Sequence, residues 1–204
     1  MSALLACLSA VQRGFEKGEP VFSAGDDAAP VGVVLAGGVN VMQEDYWGNR
    51  MILAHIEPGG LFGEAFSCAG AGELPVSASA VEKSEILLID CGKIVATCSS
   101  ACAFHAGMIR NMLQILARKN IALVEKIGHL SRRTTREKLL SYLSSRAKAA
   151  GSPAFDIPFN RQELADYLAV DRSAMSAELS KMRDENLLRY SRSHFELMGE
   201  ETRP

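Results

Sequence analysis

The sequence predicts an α+β chain of 204 residues: a strand-rich N-terminal half, one long helix, and a C-terminal third of short helices closed by a β-hairpin. Three observations predict it. Turn signals interrupt residues 14–90 every few positions. Apolar residues recur through 103–130 at alternating spacings of four and three. Residues 159–190 then hold two short amphipathic segments joined by a two-residue break.

The composition agrees. Hydrophobic content of 48% supports a buried core. No apolar run approaches the ~18–20 residues of a membrane span. The opening MSALLACLSAVQRG is too short and too weakly apolar for a signal peptide, so a cytoplasmic location is the expectation. The net charge of −2 argues against a generic polyanion binder. The charge is unevenly spread: residues 1–130 carry 9 Lys/Arg against 13 Asp/Glu, and residues 131–204 carry 13 against 11. The basic end suits a phosphate surface. Cys7, Cys68, Cys91, Cys98 and Cys102 are odd in number and form no CxxC pair, which favours reduced thiols over a disulfide framework.

In order along the chain, Glu19-Pro20 leads into a strand at Val21-Phe22, and Gly25-Asp26-Asp27 turns it. Val31 to Leu35 is a short apolar strand, broken at Gly37-Gly38. Val39 and Val41 alternate with polar neighbours, residues 46–50 (YWGNR) form a hairpin tip, and Met51 to Ile56 return. Glu57-Pro58-Gly59-Gly60 is a turn, and Val76–Val81 and Ile86–Ile89 supply two further strands. Many short strands at this spacing predict a compact antiparallel roll, cupin-like in outline, over residues 1–102.

The helix predicted over 103–130 has two apolar faces. Ile109, Leu113, Leu116, Asn120, Leu123, Ile127 and Leu130 make a heptad seam, in which a polar Asn can fix register between two copies. Met108, Met112 and Ile115 make a second face that can pack on the roll. One face for its own domain and one for a twin is what a homodimer needs. Ser131 to Arg136 is a basic hinge whose arginines are expected to be solvated. A helix from Arg136 to Ala149 follows, ended by Ala150-Gly151-Ser152-Pro153, then a short strand at Phe155–Pro158.

Asn160 and Glu163 form a capping box for the first short helix of the C-terminal pair, whose apolar stripe is Leu164, Ala165 and Leu168. Ala169-Val170 make the turn, with Val170 as an apolar plug, and Asp171 caps the second helix. Met175, Leu179 and Met182 give that helix a buried face, which leaves Arg172, Ser173, Ser176 and Ala177 pointing outward. Such a pair, with a thin polar face at the start of its second helix, is a DNA-reading unit. Arg172 can fork onto guanine O6 and N7, and the serines can reach a base edge or a phosphate. Leu188 to Met198 forms a two-stranded wing around Ser191-Arg192-Ser193. Residues 131–204 thus read as a winged helix-turn-helix domain. Arg161, Lys181 and Arg192 complete its DNA-contact candidates.

The stretch RQELADYLAVDRSAMSAELSKMRDENLL resembles the DNA-binding end of the Crp–Fnr family of bacterial transcription regulators. FEKGEPVFSAGD, PGGLFGE and LPVSASAVEKSEILLID resemble its cyclic-nucleotide-binding β-roll, so the resemblance runs from Phe15 to Leu197. It implies base reading by residues 172, 173, 176 and 177, dimerisation through the helix at 103–130, and RNA polymerase as a further partner. Many members carry a basic residue where this chain has Ala177, so no half-site preference is carried over.

The resemblance also places an effector pocket at Gly63, Glu64, Leu74, Pro75, Leu123 and Val124. In nucleotide-binding members the Glu holds a ribose hydroxyl and a following Arg-Ser pair holds the phosphate. Here Leu74-Pro75 stands in the place of that pair, and no arginine occurs between Arg50 and Arg110. A buried cyclic phosphate needs a charged, preferably bidentate donor, and Lys83 and Lys93 lie outside the cassette. Leu123 and Val124 stand where members that bind cyclic AMP use hydroxyl side chains. A small effector other than cyclic AMP is therefore expected.

Rival readings are a redox, haem or metal sensor of the same fold, and a cupin-like enzyme. Cys98-x3-Cys102-x2-His105 has a loosely ligand-like spacing without a fourth partner, and His55, His105 or Cys91 could ligate haem. No nucleophile elbow, P-loop or HExxH is present. Glu64 with His55 is the one acid–base pair an enzyme reading can use. A regulator, not an enzyme, is the expectation.

Overall fold

The structure is a computed structural model that describes residues 9–27, 30–70, 72–90, 92 and 103–198, with side chains in the long helix from residue 107 onward. It divides into two compact units, residues 1–119 and 120–204.

The first unit is two antiparallel four-stranded sheets. One has strands β1 (Val11–Phe15), β8 (Ser84–Ile89), β3 (Val31–Ala36) and β6 (Leu61–Phe62) in that order. The other has β2 (Pro20–Phe22), β7 (Ser77–Ala80), β4 (Val39–Glu44) and β5 (Arg50–Ile56). Their inner faces share one core: Phe15, Val34, Phe62 and Ile86 from the first meet Phe22, Val39, Ile56, Ala78 and Ala80 from the second. The period-two burial of β7, half-buried Ser77 and Ser79 against buried Ala78 and Ala80, shows the alternation that makes such a sheet one-sided. Gly32 is required in β3, because a Cβ there would stand 2.3 Å from the Phe62 ring.

The hairpin tip between β4 and β5 is fixed by Asp45. Its Oδ1 accepts from the backbone N–H of Trp47 and of Asn49, at 2.9 Å each. Those hydrogen bonds hold the Asp45 carboxyl below its usual range, the Asn49 side chain contributing most. Three elements are absent from the sequence-based expectation: the edge strand β1, the two-residue strand β6, and a short helix α1 (Glu64–Ala69) that begins at Gly63.

Helix α2 (Ala103–Leu130) carries the two faces expected of it. Met108 and Met112 pack on a small cluster around Val31 and Ile89 of the roll. On the other side Leu113 is 62% exposed, Leu123 52% and Ile127 61%. Leu116 and Leu130 are half-buried, and Asn120 is exposed.

In the second unit, helix α3 (Thr135–Ala150) starts with a capping box between Thr134 and Glu137, so it begins one residue before the expected start at Arg136. Helices α4 (Arg161–Leu168) and α5 (Arg172–Asp184) follow. Three strands, β10 (Leu188–Ser191), β11 (His194–Leu197) and β9 (Ala154–Asp156), form one antiparallel sheet. Leu139 and Leu143 of α3 are fully buried, as are Leu164, Ala165 and Leu168 of α4 and Met175, Leu179 and Met182 of α5. That is the apolar set expected for the helical pair. Val170 is only half-buried, so the plug between the helices is a partial one.

Candidate nucleic-acid interface and sensor carboxylate

The helical pair is built by its caps. Asn160 Oδ1 accepts from the backbone N–H of Gln162 and Glu163, and Glu163 reaches back to Asn160 N, a full capping box. Helix α4 ends at Ala169, a non-glycine residue in the left-handed region with φ 49°. Lys138 of α3 secures that turn: its Nζ donates to the carbonyls of Leu168 and Ala169 at 3.2 Å. A cation on the orphan carbonyls of a helix C-terminus is the favourable arrangement. Asp171 then caps α5, accepting from Ala174 N at 2.8 Å. Arg136 of α3 holds the body of α5 in place, donating to Glu178 at 3.1 Å and to Glu185 beyond the end of the helix.

With Met175, Leu179 and Met182 turned inward, Arg172, Ser173 and Ala177 are exposed and Ser176 is half-buried. Positions one, two, five and six of a helix share a side, so these four form one thin surface. No ion pair engages the Arg172 guanidinium among the described residues. Lys181 is exposed. It lines a shallow cleft of about 490 Å³ with Thr134, Thr135, Arg136, Ala174, Ala177 and Glu178, where the start of α3 meets α5. Arg192 sits at the wing tip, exposed and left-handed with φ 53°.

Arg161, a further DNA-contact candidate, is half-buried, and its guanidinium lies over the Tyr190 ring at 4.6 Å and the Phe195 ring at 5.0 Å. Burial lowers its affinity for a proton from the ordinary arginine range. It joins α4 to the wing through cation–π contacts.

Behind the interface, α2 ends in a polar knot within the second unit. Lys126 is 5% exposed, with its Nζ 4.3 Å above the Tyr167 ring. His129 Nδ1 lies 2.7 Å from Ser141 Oγ, and its ring meets Tyr142 edge-on. Burial lowers the His129 pKa and pushes Lys126 down to about 8, while it raises those of Tyr142 and Tyr167. The folded state thus sheds the Lys126 proton at about 8, whereas the unfolded chain keeps it to about 10.5. Through that window the unfolded state binds more protons, so stability rises with pH until the buried phenols begin to oppose it near pH 10. Lys126→Met should flatten the rise between pH 8 and 10. Thermal unfolding at pH 7 and pH 9.5 checks this.

In the first unit, Gly63 turns with φ 79°, and a Cβ there would stand 2.4 Å from the Pro30 carbonyl oxygen. This places Glu64 at the head of α1, 3% exposed. Its Oε1 accepts from Lys119 Nζ of α2 at 2.5 Å, and its Oε2 is buried with no partner among the described residues. Lys119 was missed by the sequence reading, which looked for cations only near the cassette. A signal existed: Met108, Met112, Ile115 and Lys119 continue one helical face at spacings of four, three and four.

Of the six pocket candidates, Gly63, Glu64, Leu74 and Pro75 lie in the first unit. Leu74 is 2% exposed inside the two-sheet core, and Pro75 is exposed. Leu123 and Val124 belong to the second unit and are exposed there. Leu74 packs in the core cluster that also holds Phe22, Phe62 and Val76.

The rival readings find the following. His55 Nδ1 lies 2.7 Å from Asn40 Oδ1, so His55 and Glu64 are held by different partners. Cys68 is exposed on α1. Cys7, Cys91, Cys98 and Cys102, with the His105 side chain, lie outside the described residues. Among the described residues no cluster of His, Cys, Asp and Glu is placed to hold a metal ion, and no helix is long and apolar enough to cross a membrane.

A two-sheet roll followed in the same chain by a winged helix with an open recognition surface defines a class, the sensor-domain transcription regulators. The chain matches the cyclic nucleotide-binding domain over residues 12–100 and the Crp-like helix-turn-helix domain over residues 137–201. It belongs to the Crp–Fnr family of regulators. A cyclic AMP receptor protein of Thermus thermophilus is 27% identical over 178 residues, 87% of this chain and 79% of that one. Two solved structures share the fold. FixK2 of Bradyrhizobium japonicum has 20% identity and TM-score 0.72 over 94% of each chain. The c-di-GMP responsive regulator CLP of Xanthomonas campestris has 18% identity and TM-score 0.76 over 97% of this chain and 98% of that one.

Proposed function

We propose that the protein binds promoter DNA as a homodimer, reads base edges with α5, and is controlled by a small effector other than cyclic AMP. It acts in the cytoplasm, with RNA polymerase as the further partner. The observation that carries the reading is the exposed surface of Arg172, Ser173, Ser176 and Ala177 on a helix capped by Asp171 and clamped from behind by Arg136. The exposed apolar stripe of α2 supports the homodimer. Two copies of α5 would then meet half-sites about one helical turn apart, roughly 34 Å.

Arg172→Ala should cost about 1–3 kcal/mol on the specific site and relax the preference at one base pair per half-site. Arg192→Ala should instead weaken all sequences alike and lower the salt slope by about one unit per phosphate contact removed. Binding to operator and to scrambled DNA at several salt concentrations separates the two. Equal loss on both DNAs for Arg172→Ala would make Arg172 a backbone anchor and move sequence reading to the serines or to DNA shape.

The effector reading rests on Glu64 and Leu74. The carboxylate already has Lys119 as its cation, and the place of the phosphate-binding pair is filled by a core leucine and an exposed proline. Calorimetry with cyclic AMP and cyclic GMP should show no binding in the micromolar range. A micromolar or tighter Kd for either would overturn this part of the reading.

A further inference from the structure

The hydroxyl protons on the exposed surface of α5 are already committed inside the protein. Ser173 Oγ donates to Asp171 Oδ1 at 2.5 Å, and Ser176 Oγ donates to the Arg172 carbonyl at 2.9 Å. A serine hydroxyl has one proton and two lone pairs. With the proton turned inward, what each serine offers outward is an acceptor. The Ser173 bond is the firmer of the two, because its acceptor is a carboxylate oxygen that also takes the Ala174 N–H. The Ser173 hydrogen bond is also the largest cause holding the Asp171 carboxyl below its usual range, so the acceptor stays ionised at neutral pH. On this surface Arg172 is then the donor and the serines are acceptors.

The major groove offers hydrogen-bond donors only from amino groups, cytosine N4 and adenine N6; guanine and thymine present acceptors at the corresponding edges. We propose that Asp171 and Ser173 act as one specificity unit: Asp171 orients the Ser173 hydroxyl so that its oxygen selects a base bearing an amino group, cytosine or adenine, beside the guanine taken by Arg172. This deepens, and rests on, the reading of α5 as the helix that enters the groove. A guanine or thymine in that place would set lone pair against lone pair. The alternative is to rotate the hydroxyl away from Asp171, which breaks a charge-assisted bond. Asp171 is thereby a positioning residue as well as a cap.

The experiment uses the full-length protein and duplexes selected from a random library. At each selected position carrying cytosine or adenine, the base is replaced by its analogue lacking the exocyclic amino group. Affinities are measured for wild type, Ser173→Ala and Ser173→Thr. The expected result is one position where wild type and Ser173→Thr lose about 5–10-fold on removal of the amino group, as a single groove contact would give, while Ser173→Ala loses less than twofold. Comparison with Ser173→Ala also cancels the weaker pairing of the analogue itself. Two results would overturn the proposal: a guanine or thymine preference that Ser173→Ala abolishes, or a Ser173→Ala variant that selects the same sequences as wild type. Failure of the underlying reading looks different, since wild type would then enrich no sequence from the library.

Discussion

Lys119→Met should destabilise the N-terminal unit by about 3 kcal/mol at neutral pH, the low end for one partner lost from a buried pair because Lys119 is itself 31% exposed. The variant keeps most of the side-chain stem and removes only the ammonium. It leaves the Glu64 carboxylate, 4% exposed, with neither oxygen partnered. An unpaired charge away from water is the costly state, far more so than the absence of the pair. Glu64→Gln together with Lys119→Met should therefore recover most of the loss, because two neutral groups need little from their surroundings. Amide exchange in β3 and β8 gives the local free energy without assuming one transition for a two-unit chain. If single and double variants both stay within about 0.5 kcal/mol of wild type, as exposed pairs do, the Glu64–Lys119 contact is only a surface pairing.

The parts of the molecule legible in the sequence are those whose causes are local. Asn160 and Glu163 are three residues apart, and Asp171 caps a helix beginning at the next position, so both caps could be read directly. The inward set of the two short helices follows from spacing alone. Long α2 announces its two faces because 28 residues give the period room to repeat.

What was hidden depends on contacts distant in sequence or on elements too short to show a period. Strand β1 buries only Phe15 of its five residues, so it has no alternation to detect. Helix α1, six residues between Gly63 and Gly70, is shorter than two turns. Arg161 looks like a first-turn cation free to meet DNA, until the wing brings Tyr190 and Phe195 beneath it from some thirty residues downstream. Lys119 meets Glu64 across 55 residues, and Lys138 meets the α4 terminus across 30. The resemblance to a family supplied the position of a pocket; that Leu74, one of its candidates, packs in the core needed the folded sheets to be seen.

Leu116→Glu combined with Leu123→Glu should convert the protein to monomers and lower its affinity for a two-half-site operator by 100-fold or more. The seam residues Ile109, Leu113, Leu123 and Ile127 are between 37% and 62% exposed, and Ile121 and Val124 beside them are 62% and 65% exposed. A stripe of that size on one helix face is more apolar surface than an isolated chain usually leaves in water. A second copy would bury it at roughly 25 cal/mol per Å². The two substitutions place four carboxylates in a seam that excludes water, where like charges find no partner. The DNA effect follows from linkage of sites. A dimer binds its second half-site intramolecularly, an advantage on the order of 10²–10⁴ that a monomer lacks. Asn120→Leu should act in the opposite sense on association, holding the copies together while loosening the register that a polar seam residue imposes. Light scattering and operator binding on the same samples decide the matter. A double-Glu variant that remains dimeric would place the interface elsewhere. A monomeric variant that binds the operator as tightly as wild type would show that the dimer is not the form that reads DNA.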